Sequence, residues 1–315
     1  MIISIVFSAC TKEINMEIPE NERKLVVNGV FIVGEPIKLA VSKSKGMLEK
    51  SKTENVDNAE VKIFENGVFI TNLDTINQLW YINYSYDMYG EMIDSIFRNF
   101  YYSKNLLLEQ DKTYKIEISA PGIDRKANIE IKAPTMVPIL KVDTFTVSAD
   151  EWSKYLYFDV LISDPLDEAN YYIISLKSKN TYTWMDEFGE KHDEFSTYFE
   201  YIETDDVVLS NSNIEFESGI IFSDRLINGK TQNIKFKKNY YNSGQTTDYL
   251  VILQSITKEY YNFLISSNLY IAGDGNPIAE PVSVISNVNG GFGIVTAINQ
   301  SIDSSIVMSE PANKY

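Results

Sequence analysis

The stretch Tyr114-Lys115-Ile116-Glu117-Ile118 alternates apolar and polar side chains residue by residue. Ala120-Pro121-Gly122 then turns the chain, and residues 127–131 answer with the same period. Side chains of an extended strand point to opposite faces in turn, so a period of two marks a strand with one buried face. The pattern recurs. Val61-Lys62-Ile63-Phe64 and Val68-Phe69-Ile70 flank Glu65-Asn66-Gly67, a hairpin signal because Asn and Gly tolerate positive φ. Leu25-Val26-Val27 and Val30-Phe31-Ile32-Val33 flank Asn28-Gly29, and Gly34-Glu35-Pro36 turns the chain into residues 37–41. A chain built this way folds as an all-β protein.

About seven such runs between residues 24 and 134 fit an immunoglobulin-like β-sandwich. Pro134 and Pro138 bracket Thr135-Met136-Val137 and mark a stiff junction to a second domain, 135–315. That half is also rich in strands, expected over 155–162, 171–176, 195–202, 233–236 and 249–253, with an acidic tip at 186–194. One helix interrupts it over 257–267. Thr257 is its N-cap and Glu259 lies in its first turn, and Ile256, Tyr260, Phe263 and Leu264 share a face that packs on a sheet. The expected fold class is therefore two β-sandwich domains, the first immunoglobulin-like and the second with one short helix on a sheet.

Cys10 is the only cysteine of the 315 residues, and it ends the run Ile2-Ile3-Ser4-Ile5-Val6-Phe7-Ser8-Ala9. Spanning a bilayer takes about 20 apolar residues, so this run is too short to cross. Small residues ahead of a cysteine resemble a bacterial lipoprotein signal. Residues 1–9 are read as a signal remnant, truncated because no charged segment precedes Ile2, and Cys10 as the lipidation point. Residues 10–23 form an acidic tether. With Cys10 acylated no disulfide can form. Acidic residues (44) outnumber basic ones (28), for a formal charge of −16. Such a surface repels phosphate backbones, which argues against nucleic acid as a partner. Membrane attachment must then come from lipid.

The residues for catalysis are few. His192, the single histidine, lies in Glu190-Lys191-His192-Asp193-Glu194, and no Gly-x-Ser-x-Gly elbow occurs. One histidine and no free thiol also exclude the usual zinc, copper and haem ligand sets, and no cofactor is expected. Calcium needs only oxygens, and Asp274, Asn276 and Glu280 offer several within one loop, although their composition is also that of an ordinary turn. Gly290-Gly291-Phe292-Gly293 precedes a strand rather than a helix, which excludes a phosphate loop. Residues 81–106 are an aromatic insertion in the first domain. Tyr84, Tyr86 and Tyr89 either present rings to a partner or pack over one edge of the sandwich.

Leu25-Val26-Val27-Asn28-Gly29, Asp164-Pro165-Leu166-Asp167-Glu168-Ala169-Asn170-Tyr171-Tyr172 and Phe222-Ser223-Asp224-Arg225-Leu226-Ile227-Asn228-Gly229 follow one another along the chain. Tyr260-Tyr261-Asn262-Phe263-Leu264, Asn276-Pro277-Ile278-Ala279-Glu280-Pro281 and Ser286-Asn287-Val288-Asn289-Gly290-Gly291-Phe292-Gly293-Ile294 complete the series. Together these segments resemble a family of Bacteroidota outer-membrane lipoproteins, the domain-of-unknown-function 4249 type. The resemblance implies a non-enzymatic accessory lipoprotein at the cell surface, partnered by a TonB-dependent outer-membrane receptor in capture or uptake of a nutrient. The ligand class stays open among small molecules, peptides and glycans. The alternative is an envelope structural or adhesion module that contacts neighbouring surface proteins. Candidate binding residues are Tyr84, Tyr86, Tyr89, Asn276 and Glu280.

Overall fold

The computed structural model describes residues 22–46, 49, 53–87, 90–148, 154–166, 168–210, 215–216, 219–240, 246–273 and 282–309. Cys10, the tether to residue 21, Tyr89, Asp274, Asn276 and Glu280 lie outside them.

The first half contributes β1 (Leu25–Ile32), β2 (Pro36–Lys43), β3 (Glu60–Glu65), β4 (Val68–Asn72), β5 (Asp74–Asp87), β6 (Gly90–Leu107), β7 (Thr113–Ala120) and β8 (Ile123–Lys132). One sheet runs β4-β3-β7-β8, and β1, β2, β6 and β5 are consecutive neighbours in a second. The period-two runs explain why the two sheets meet. Val27, Phe31, Leu39, Val41 and Tyr101 project from one sheet onto Val61, Ile63, Ile116, Ile118 and Ile129 of the other. Each such side chain, once buried, contributes about 1.5–3 kcal/mol. Asn66 and Gly67 take φ of 48° and 83°, as the β3–β4 hairpin requires. Tyr114, at the start of β7, accepts the Glu109 N–H on its Oη at 3.1 Å, the tyrosine-corner device of immunoglobulin-like sandwiches.

Two expectations about this half are corrected. Asn28-Gly29 is not a break, because β1 runs straight through it. The C-terminal strand pairs along β1 from Val26 to Ile32, and Asn28 Oδ1 accepts the Ile294 N–H at 3.3 Å. The described parts of 81–106 are not laid over an edge. Residues 81–87 belong to β5 and 90–106 to β6, which pair from Asp74↔Tyr102 to Asp87↔Gly90. β6 joins the sheet through Leu39↔Tyr101, and Tyr101 is only 1 % exposed in the core.

The second half contributes β9 (Ile139–Ser148), β10 (Lys154–Ser163), β11 (Tyr171–Met185), β12 (Lys191–Phe199), α1 (Val207–Ser210), β13 (Glu215–Phe216) and β14 (Gly219–Ser223). After a 3₁₀ turn at Asp224–Leu226 come β15 (Thr231–Tyr240), β16 (Thr246–Ile256), α2 (Lys258–Gly273) and β17 (Phe292–Ser309). β15-β10-β9 forms a three-stranded sheet. It packs through Leu156, Phe158, Val160, Ile162, Ile234 and Phe236 onto Tyr172, Ile174, Leu176, Phe222, Val251 and Leu253. The unbroken apolar run at the start of β11 has a cause. Its other face, at Ile173, is covered with Ile221 and Ile298 by Leu264 of α2.

Thr257 caps α2 as expected, its Oγ1 accepting the Tyr260 N–H at 3.2 Å. The helix runs on to Gly273, beyond the expected end, since no breaker interrupts residues 265–272. The expected strand over 195–202 instead starts at Lys191 and ends at Phe199. Asp186 closes the preceding turn by itself, its Oδ1 accepting the N–H groups of Phe188 (2.9 Å) and Glu190 (2.8 Å). Residues 191–194 are thereby free to pair with β11.

The large sheet runs β13-β14-β11-β16-β17-β1-β2-β6-β5, with β12 also paired to β11. Ala133 packs in the first core and Val137 in the second, while β17 serves both. Val295 and Ala297 enter the first core, and Ile306 and Met308 lean on the second. Gly290 and Gly293 let the start of β17 reach its place, with φ of 82° and 106°. A Cβ on either would fall well inside contact with a backbone carbonyl, that of Lys126 or of Val27.

Candidate functional site

β11 and β12 pair from Lys177↔Phe199 out to Met185↔Lys191, whereas β16 accompanies β11 only as far as Thr181. Beyond Thr181, β12 is the one described strand that accompanies β11. Both faces of the hairpin carry aromatic rings, because no described element covers either. On one face Lys179 Nζ lies 4.7 Å from the Phe195 ring and Lys177 Nζ 5.5 Å from the Phe199 ring. On the other, Trp184 stacks on His192 with centroids 4.6 Å apart, and its Nε1 donates to Glu194 Oε1 at 3.3 Å. Further down that face Asn180 Nδ2 donates to Tyr198 Oη at 2.7 Å, and Thr247 Oγ1 donates to Asn180 Oδ1 at 2.6 Å, which ties the arm to β16. At the tip Phe188 is 83 % exposed and Met185 72 %, and Phe195 is 61 % exposed along β12. Exposed rings are the side chains that anchor an interface where a partner desolvates them.

His192 Nε2 lies 3.0 Å from Asp186 Oδ2. That bond, followed by the N–H groups of the turn, holds the Asp186 carboxyl below the usual carboxylate range. Asp186, Glu190 and His192 each bring one donor atom within 4.8 Å of the others, the one such trio among the described residues. Two carboxylates and an imidazole suit a divalent first-row metal with water in the remaining positions. The exclusion of zinc in sequence considered only sets richer in histidine or cysteine, and the fold assembles a mixed one.

The sequence-derived candidates fall in different places. Tyr84 and Tyr86 lie in the backbone of β5, with side chains outside what is described, and Tyr89 is outside altogether. The calcium candidates Asp274, Asn276 and Glu280, and the lipidation point Cys10, are outside as well. Sequence reasoning missed Trp184, Phe188, Phe195, Tyr198 and Phe199. Their signal was a strand carrying rings on both faces beside a polar turn, with no apolar segment to cover it.

The family-like segments with the most polar residues serve the fold. Tyr172 donates its hydroxyl to Asp164 Oδ1, and Asp164 Oδ2 accepts the Gly229 N–H at 3.0 Å. Asp224 Oδ2 accepts the Asn170 N–H at 2.7 Å. Asp164 is only 5 % exposed, and burial pushes its carboxyl above the ordinary carboxylate value. Burial also pushes the Tyr172 hydroxyl far up, and the Asp164 charge beside it adds to the shift. These bonds pin Asp164 to Gly229 and Asn170 to Asp224 beside the second core, which Tyr172, Phe222 and Ile227 enter.

No helix among the described residues is long and apolar enough to cross a membrane. No curated protein matches the chain. Among solved structures it is similar to the apo structure of Bacteroides uniformis beta-glucuronidase 3, at 11 % identity and a TM-score of 0.19. That match covers 72 % of this chain but only 23 % of the glucuronidase chain. It is also similar to a chain of the complete structure of manganese lipoxygenase of Gaeumannomyces graminis and partial structure of zonadhesin of Komagataella pastoris. That likeness has 8 % identity and a TM-score of 0.18 over 91 % of this chain and 97 % of that one. Likeness at these scores carries nothing about activity. The family model for the domain of unknown function DUF4249 matches residues 11–303, and the chain belongs to that family.

Proposed function

We propose that this chain is a non-enzymatic binding protein of the outer membrane, anchored by lipid at Cys10 and working with a TonB-dependent receptor in nutrient capture or uptake. The aromatic arm of β11 and β12 carries the reading. It is rooted by the Thr247–Asn180 bond and holds its rings in the open, with no described element over them. Such rings anchor protein interfaces when a partner desolvates them. Two or more acyl chains on one residue would give stable anchoring where a single chain does not. The roles of the polar groups agree with a binding protein. Asp164, Asp224 and Asn170 are engaged within the core, and His192 is held between Asp186 and Trp184.

The alternative, an envelope adhesion module, is favoured by one observation. Among the described strands β12 has only β11 as a neighbour, which leaves its outer edge open to strand addition from another chain. Affinity capture of the lipidated protein from native outer membranes tests the first reading. A receptor barrel should co-purify with the wild type and be lost from the Trp184→Ala, Phe188→Ala, Phe195→Ala triple variant at unchanged melting temperature. Equal recovery of the barrel would remove the arm from the reading, and recovery of other surface proteins in its place would favour adhesion.

A further inference from the structure

The outer face of the sheet at β1, β2 and β6 holds a trough of about 570 Å³ lined by Asn28, Gly29, Val30, Lys38, Leu39, Ala40, Arg98 and Phe100. This is within the range of roughly 300–1,000 Å³ typical of small-molecule sites. Its floor is apolar, formed by Val30, Ala40 and Phe100. Two cations stand over it. Lys38 Nζ lies 4.9 Å from the centroid of the Phe100 ring and donates to Gln78 Oε1 at 3.2 Å, a neutral partner. Arg98 is paired with Gln78 in the β5–β6 register, and burial draws its guanidinium below the ordinary value. Asp74, across Tyr102 from Lys38 in the register, does not line the trough.

Two cations and an apolar floor are out of keeping with a chain of net charge −16. A partly dehydrated guanidinium holds a carboxylate through charge-assisted hydrogen bonds, and an ammonium nearby adds to the field. The acidic remainder of the surface repels any extended polyanion, which disfavours nucleic acid and acidic peptides here. What suits both the local and the global charge is one negative head on an apolar body. We propose that the trough binds a small amphipathic monoanion, with Arg98 and Lys38 on its carboxylate and Val30, Ala40 and Phe100 against its body. This names a ligand class for the nutrient-capture reading and rests on that reading only for its purpose, since binding itself requires neither membrane nor receptor.

Calorimetry on the purified chain with decanoate, decanol and decyltrimethylammonium is the test. Decanoate should bind at one saturable site, more weakly as salt rises. The other two, of equal chain length, should bind at least about tenfold more weakly, the factor that losing one charge-assisted bond implies. Lys38→Glu and Val30→Glu, both at exposed positions, should each weaken decanoate by a similar factor without changing the melting temperature. Arg98→Gln should do so too, and if that variant misfolds the other two still decide. No saturable decanoate binding, equal binding of the three amphiphiles, or indifference to Lys38→Glu would overturn the assignment. Failure of receptor capture with decanoate binding intact would leave the trough standing and remove only its proposed use.

Discussion

Asn287 does for Val295 what a neighbouring strand would do. Its Nδ2 donates to the Val295 carbonyl at 2.6 Å, and its Oδ1 accepts the Val295 N–H at 3.0 Å. β16 pairs with β17 only from Ile298 onward, so the earlier part of β17 has β1 on one side and no described strand on the other. The side-chain amide supplies the donor and acceptor that position lacks.

Asn287→Ala should therefore leave two backbone groups of a buried residue unpaired, at about 1–3 kcal/mol each. Urea unfolding should show a lower midpoint with the slope unchanged. Asn287→Asp, which keeps an acceptor and loses the donor, should fall between. An alanine variant as stable as the wild type would mean that the pairing contributes nothing.

Gly293→Ala should be far more damaging than Gly67→Ala. Both have positive φ, but a Cβ at 67 meets open space while one at 293 would collide with the Val27 carbonyl. Conformational strain alone costs about 1–2 kcal/mol. The collision at 293 should add enough to take the loss to about 3 kcal/mol or more, because β17 must leave β1 to relieve it. Thermal melts of the two variants side by side make the comparison, and similar losses would contradict the close approach.

Burial raises the Asp164 carboxyl, so in the relevant window the folded state holds its proton more tightly than the unfolded chain. An acid with a raised folded pKa makes stability fall as pH climbs from the unfolded value through the folded one. Asp164→Asn removes that titration. The wild type should lose stability relative to the variant on going from about pH 4 toward neutrality. The variant also loses the acceptor for the Gly229 N–H at every pH, so the slope of the difference reports on Asp164 and its absolute size does not. Parallel stability curves would show that the carboxyl is not raised.

Tyr101 donates its hydroxyl to the Val56 carbonyl at 2.6 Å and accepts the Ala59 N–H at 2.8 Å. Tyr101→Phe keeps the ring in the core and releases the segment ahead of β3. Stability should drop by about 1–2 kcal/mol, and limited proteolysis between residues 53 and 59 should quicken. Unchanged cleavage there would show that the hydroxyl tethers nothing.

The strands with one buried face were legible because their side-chain alternation is local. Residues 114–118 and 61–64 needed nothing distant to be recognised. The dipeptide Asn-Gly shows where such reading stops. At 66–67 it turns the chain, and at 28–29 it lies within a strand, because β17 lands along β1. No local pattern holds that information. The same applies to Asp164 and Gly229, or Asn28 and Ile294, which become partners only through the fold. The aromatic arm escaped notice for a different reason. Trp184, Phe195 and Tyr198 alternate with polar residues as half-buried strand positions do, and only the end of β16 pairing at Thr181 reveals that no described second layer covers them. The trough was hidden as well, since Lys38 and Arg98 stand on strands 60 residues apart in sequence (98 − 38).

The parallel pairing of β1 with β17 also sets an order of events. Asn28 must wait for Ile294, 266 residues further along the chain, before its side chain finds its bond. During synthesis β1 has β2 on one side and a bare edge on the other. Val295 and Ala297 are missing from the first core for all that time. The earlier half of the described chain is finished by the last of its described strands. A chain cut short before residue 292 would hold an incomplete first core and a sticky edge, ready for proteases or for another unfinished copy of itself.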